Sequence, residues 1–140
     1  MAAPKTFDFD PSVLDPQIAK HISTFYAAVD NESTLPDWAN HFTEDAKFKK
    51  GAVRLVGRQN LLTQTSKSWA LLDARDHTIY SVYAFGKARD EVMLHGRSNN
   101  TWKTGGKTTF TWAARLKFER QDGKVLISEY TIIVACLSAL

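Results

Sequence analysis

Cysteine is almost missing: Cys136 is the one copy in 140 residues, so no internal disulfide can form. A reducing, cytoplasmic setting is the expectation, with Cys136 a small apolar side chain near a strand end. No apolar run approaches the roughly 20 residues of a membrane span. The opening MAAPKTFDFDPSVLDP also lacks the apolar centre of a signal peptide. Charge of one sign is scarce too, since 18 Lys and Arg against 15 Asp and Glu leave a formal +3. KFKK at 47–50 is the one basic cluster, and it has no glycine-rich or nucleic-acid-binding context. Neither a nucleic-acid nor a membrane partner is expected. His21, His41, His77 and His95 are far apart, with no H-x-H or H-x-x-x-H spacing, so no metal is expected. G-x-S-x-G, P-loop and dinucleotide fingerprints are all absent, and the cofactor expectation is none.

Aromatic side chains are plentiful instead: eight Phe, four Tyr and four Trp suit a dense core or an aromatic-walled pocket. Residues 1–15 show no period and read as an arm over one domain at 16–136. Asp15-Pro16 supplies an N-cap and a first-turn proline. Ile18, Ile22, Phe25, Tyr26 and Val29 follow at helical spacing and predict a helix over 16–30. Asn31-Glu32-Ser33 breaks it, and Leu35, Trp38 and Phe42 make the stripe of a short second helix. Brief strands at 46–50 and 53–56 precede a third helix over 58–72, carried by Leu61, Leu62, Thr65, Trp69 and Leu72.

The second half changes character. Segments 77–85, 91–102, 108–119 and 125–135 are rich in β-branched and aromatic residues. Gly86, Gly105-Gly106 and Asp122-Gly123 punctuate them. Helices followed by a meander give an α+β chain, with about three helices on one face of a curved, four- to six-stranded antiparallel sheet.

That element order, with FYAAVDNES…LPDWANHFTEDAKF (25–48), GRQNLLTQTSKSW (57–69) and FERQDGKV (118–125), resembles the nuclear-transport-factor-2-like superfamily. RLVGRQ, DHTIYSVYAFG and DEVMLHG are similar to its SnoaL-like branch of fungal type. The resemblance spans roughly 16–136 and implies a cone-shaped roll around a cavity. It also implies a homodimer through the convex sheet face. Fold alone does not choose among the activities such a cone hosts, so the pocket residues must.

Strand alternation and the resemblance together supply candidates. DHTIYSVYAFGKARDEVMLHG resembles a stretch of scytalone dehydratase that places His77 on the pocket wall as an acid or base, or else as a strand-start residue with local hydrogen bonds. Ser98, Asn100 and Trp102 then point inward on the next strand, and His95 and Arg97 outward. FYAAVDN resembles the ketosteroid isomerase segment with an oxyanion-hole tyrosine, which falls on Tyr26; core packing is the competing role. The isomerase's aspartate base falls at Lys50, either a solvated strand end or a cation for an enolate or carboxylate.

Glu129 depends on the last hairpin. A two-residue turn at Asp122-Gly123 sets Leu116 opposite Glu129 and turns that carboxylate into a greasy wall with Trp112 and Ile127. A loop one residue longer sets it beside Arg115 as a surface ion pair, with Phe110, Trp112, Tyr130, Ile132 and Val134 inside. The registers are exclusive, because a one-residue slip reverses both faces. The expected activity is a cofactor-free enzyme of secondary-metabolite biosynthesis. It would isomerise, cyclise, dehydrate or rearrange a polycyclic or polyketide-like molecule held between Trp38, Trp69, Trp102 and Trp112. Glu129 and His77 would act as acid and base. The alternative is a non-catalytic binding or dimerisation module.

Overall fold

The computed structural model describes residues 3–135, so the expectation for Cys136 lies outside the described residues. The first helix, α1 (Pro16–Val29), starts where Asp15 accepts a hydrogen bond from the Gln17 amide at 2.8 Å. Its stripe of Ile18, Ile22, Phe25, Tyr26 and Val29 is buried. Each such side chain, taken fully from water, contributes roughly 1.5–3 kcal/mol. The second helix, α2 (Leu35–Ala39), ends sooner than its apolar stripe predicts, because Asn40 already caps it. Phe42 instead opens a strand, although its ring remains in the core. The third helix, α3 (Arg58–Trp69), follows Gly57, whose φ of 99° turns the chain out of the preceding strand.

The three helices pack on a curved, unclosed sheet of seven strands. These are β1 (Asp8–Phe9), β2 (Phe42–Lys50), β3 (Val53–Val56), β4 (Leu72–Phe85), β5 (Glu91–Trp102), β6 (Lys107–Gln121) and β7 (Lys124–Ala135). Their order is β1-β4-β5-β6-β7-β2-β3. The sheet is larger than the sequence suggests, and mixed rather than purely antiparallel: β2 runs parallel to β7, and β1 parallel to β4. The first fifteen residues are therefore partly built in, since Asp8 and Phe9 add a short edge strand beside Ser81 and Val82. Two residues are too few to show a period.

The β6–β7 hairpin forms the expected turn but not the register that turn alone implies. Asp122 and Gly123 both have positive φ, 53° and 75°, as a type I′ turn requires. Gln121 pairs with Lys124 and Phe118 with Ile127. Ser128 is then an extra residue, a β-bulge, and Lys117 pairs with Glu129. Beyond the bulge every side chain of β7 changes face. Tyr130, Ile132 and Val134 line the interior, and Glu129 lies outside between Arg115 (3.6 Å) and Lys117 (3.8 Å). The expectation that Glu129 reaches the cavity is thereby corrected.

Candidate active site

Between the helices and the concave face of the sheet lies a cavity of about 550 Å³, within the range of small-molecule sites. Tyr26 and Val29 of α1 reach it from one side. Arg75 and His77 of β4, Ser98 and Asn100 of β5, Phe110 and Trp112 of β6 and Tyr130 of β7 form the sheet wall. Alternation explains this selection: His77 pairs with Ser98, and Arg75 with Asn100, so all four share one face.

At one end of the cavity stands an Asp–His pair. Asp30 is the residue that ends α1, one turn after Tyr26 and on the same helix face. A carboxylate is disfavoured by the dipole at a helix C-terminus, and here it is held by other groups. Its Oδ1 lies 2.5 Å from His77 Nδ1, and its Oδ2 accepts from the His77 backbone N–H at 2.7 Å. The Lys5 ammonium reaches Asp30 Oδ2 at 2.7 Å and Asp76 at 2.9 Å. Burial works against the Asp30 anion, but the His77 bonds and charge, with Lys5, outweigh it and hold the carboxyl below its ordinary value. Burial also opposes the Lys5 ammonium, and its bonds to Asp30 and Asp76 keep it above its usual value.

Because a carboxylate only accepts, Asp30 makes Nδ1 the donor of a neutral His77 ring. The other ring nitrogen, Nε2, carries the lone pair in that neutral form and has no protein partner among the described residues. The contact with Asp30 thus fixes which ring nitrogen a neutral His77 leaves unengaged on the cavity wall.

Near it the Tyr26 and Tyr130 hydroxyls lie 3.2 Å apart. The Tyr26 ring stacks on Trp112 at 5.1 Å, and the His77 ring meets the Trp112 edge at 5.8 Å. Burial pushes the Tyr130 phenol up to about 12 and raises that of Tyr26 well above its ordinary value. Both therefore stay protonated near neutral pH and are hydrogen-bond donors. Lys50 stands at the cavity mouth at the end of β2.

Trp38, Trp102 and Trp112 line the cavity as expected of aromatic walls, but Trp69 does not. Its indole N–H donates to the Val29 carbonyl at 2.9 Å, and its ring lies behind the Arg75 guanidinium at 5.7 Å. Sequence reasoning missed Asp30, Arg75 and Lys5. The first two were within reach, because Asp30 follows Tyr26 by one helical turn and Arg75 shares the strand face of His77. Nothing in the unpatterned arm singles out Lys5. Among the described residues no three His, Cys, Asp or Glu side chains are grouped to hold a metal ion. No helix among them is long and apolar enough to cross a membrane.

A search of curated proteins gives no significant match. Solved structures match the fold at low identity. One is a candidate scytalone dehydratase from Novosphingobium aromaticivorans, with a TM-score of 0.77, 10% identity, and 85% of this chain and 82% of that one covered. A hexachlorocyclohexane dehydrochlorinase (LinA, type 2) gives 0.70 and 16%, with 89% and 88% covered. A candidate polyketide cyclase from Bacillus cereus gives 0.65 and 23%, with 98% and 89% covered. At such identities these likenesses describe a shape. The sequence itself goes further, since the model of the SnoaL-like domain matches residues 22–127, from within α1 into the first third of β7. The chain belongs to the SnoaL-like domain family.

Proposed function

We propose that the protein is an enzyme that moves a proton on a small, largely apolar ring-bearing molecule, by isomerisation or elimination. The observation that carries this reading is the Asp30–His77 pair on the wall of an aromatic cavity. His77 Nε2 takes a proton from carbon, and Asp30 stabilises the imidazolium that forms, as an oriented carboxylate does for other catalytic histidines. Of the hydrogen-bonded Tyr26–Tyr130 pair, the phenol that does not donate to its neighbour donates to the oxygen on which charge develops. His77 then returns the proton to a different atom, or a leaving group departs. Neighbouring folds named for dehydration, dehydrochlorination and cyclisation are compatible with that chemistry. Secondary metabolism is the proposed setting, as the fungal-type sequence resemblance implies.

Deuterium wash-in tests it without knowledge of the substrate. Incubated in heavy water with β-tetralone, a bicyclic carbon acid, the protein should accelerate exchange of the acidic C–H. His77→Gln should lower that rate roughly a hundredfold or more. Binding of the ketone with no accelerated exchange would instead favour the binding-module reading.

A homodimer through the outer sheet face belongs to the same proposal. Tyr83, Phe85, Met93 and Ile133 are exposed there, and Glu91, Arg115, Glu129 and Lys117 set both signs of charge side by side. Such a face can complement its own copy across a two-fold axis. Sedimentation showing only monomer at micromolar concentration would exclude it.

A further inference from the structure

Among the described residues two positive side chains, Arg75 and Lys50, line the cavity, and its wall contains no Asp or Glu. Asp30 stands behind His77 with its oxygens already engaged by His77 and Lys5. Among the described residues neither Arg75 nor Lys50 has a carboxylate at ion-pair distance. Among the described residues Arg75 makes one side-chain bond, from Nε to Asn100 Oδ1 at 3.3 Å, and both terminal nitrogens have no side-chain partner. The Trp69 ring behind the guanidinium holds it in place.

Unpaired cations in a confined site are unfavourable, so a fold does not gather two without compensation. The strain shows in both groups. Burial, then the Arg75 charge, lowers the pKa of Lys50, although the residue is largely exposed and water moderates the effect. Arg75 is lowered chiefly by burial, which the more distant Asp30 charge offsets only in part. An anionic ligand relieves both, through charge-assisted hydrogen bonds to a planar guanidinium and an ammonium.

We propose that the substrate of this site is itself an anion: a flat apolar ring system bearing a carboxylate or comparable oxyanion, bound by Arg75 and Lys50. The proposal deepens the proton-transfer reading and rests on it for the role of His77. Arg75 and His77 are alternate residues of β4 on one face, about 6.5–7 Å apart along the strand. An anion held at Arg75 therefore sets a C–H within one ring's width of the base. The aromatic walls bind the ring, and the two cations fix which end enters first.

Titration of intrinsic tryptophan fluorescence with naphthoate and with the isosteric, neutral naphthamide separates charge from shape. The wild-type protein should bind naphthoate roughly tenfold or more tightly than naphthamide at low salt. Added salt should narrow the gap. Lys50→Met and Arg75→Gln should each shrink the preference several-fold while affinity for the amide persists. Lys50 is at an exposed strand end, so its variant remains decisive should Arg75→Gln fold poorly. Equal binding of the two probes, no binding of naphthoate, or an unchanged preference in Lys50→Met overturns the proposal. His77→Gln separates the two readings: it should abolish tetralone exchange and leave the naphthoate preference intact.

Discussion

Asp30 Oδ1 and His77 Nδ1 lie 2.5 Å apart, joining the end of the first helix to a strand 47 residues later. The same carboxylate also takes the His77 backbone N–H, so the strand and the ring are fixed by one group. Asp30 is thus a positioning residue, acting on the substrate only through the imidazole.

Asp30→Asn should leave the fold intact but lower the tetralone exchange rate by roughly a hundredfold or more, because an amide can turn its NH₂ to Nδ1 and favour the wrong tautomer. Asp30→Glu, which keeps the charge, should recover part of the rate. Full exchange activity in Asp30→Asn would remove the pair from the mechanism.

Glu129→Gln should change exchange activity by less than about twofold and cost under about 1 kcal/mol in urea unfolding, since exposed ion pairs contribute little. Its partners Arg115 and Lys117 also lie on the outer face, where Arg115 pairs with Glu91 as well. A large loss of activity would mean that the β7 register differs in solution.

What the sequence makes legible follows from which features repeat. Helical and strand periods extend over many residues, so α1, α3 and the meander stand out, and His77, Ser98 and Asn100 fall on the inner face by alternation. The Asp122-Gly123 turn is legible too, because both positions need positive φ. Ser128 is not. Its bulge makes no demand that an ordinary residue cannot meet, yet it reverses every side chain after it. Asp30 sits where helix-end statistics expect a polar residue, and so its role depends on a strand that only the tertiary fold brings near.

Gly96 packs where no side chain fits. An added Cβ would lie 2.0 Å from the Thr78 carbonyl oxygen and 2.9 Å from the Trp112 ring. Gly96→Ala should cost about 1–3 kcal/mol by overpacking, measured as a lower urea midpoint. Because Trp112 also forms cavity wall, naphthamide affinity should fall with it. Unchanged stability would show that β4 and β5 separate more readily than their close approach suggests.

Stability should fall on mild acidification through His21, outside the cavity. Its ring lies 4.5 Å from that of His41, and its Nε2 is 3.1 Å from the His41 carbonyl. His41 in turn contacts the Asp37 carbonyl through Nδ1 and Thr24 through Nε2. Lys20, Asp37 and Lys124 are the charged groups lining the same crevice. Burial first, then His41, lowers His21 from 6.5 to about 4; burial lowers His41 in the same direction. The folded state therefore binds this proton less readily than the unfolded chain. Its contribution is complete above about pH 6.5 and is lost as pH falls toward about 4, up to about 3 kcal/mol in all. Asp30 adds a separate loss only below its ordinary 3.8, so the two windows do not overlap much. Urea unfolding at about pH 7 and about pH 4.5 should show the loss in the wild-type protein and a clearly smaller one in His21→Gln. Equal losses in the two proteins would assign the acid sensitivity elsewhere, first of all to His41.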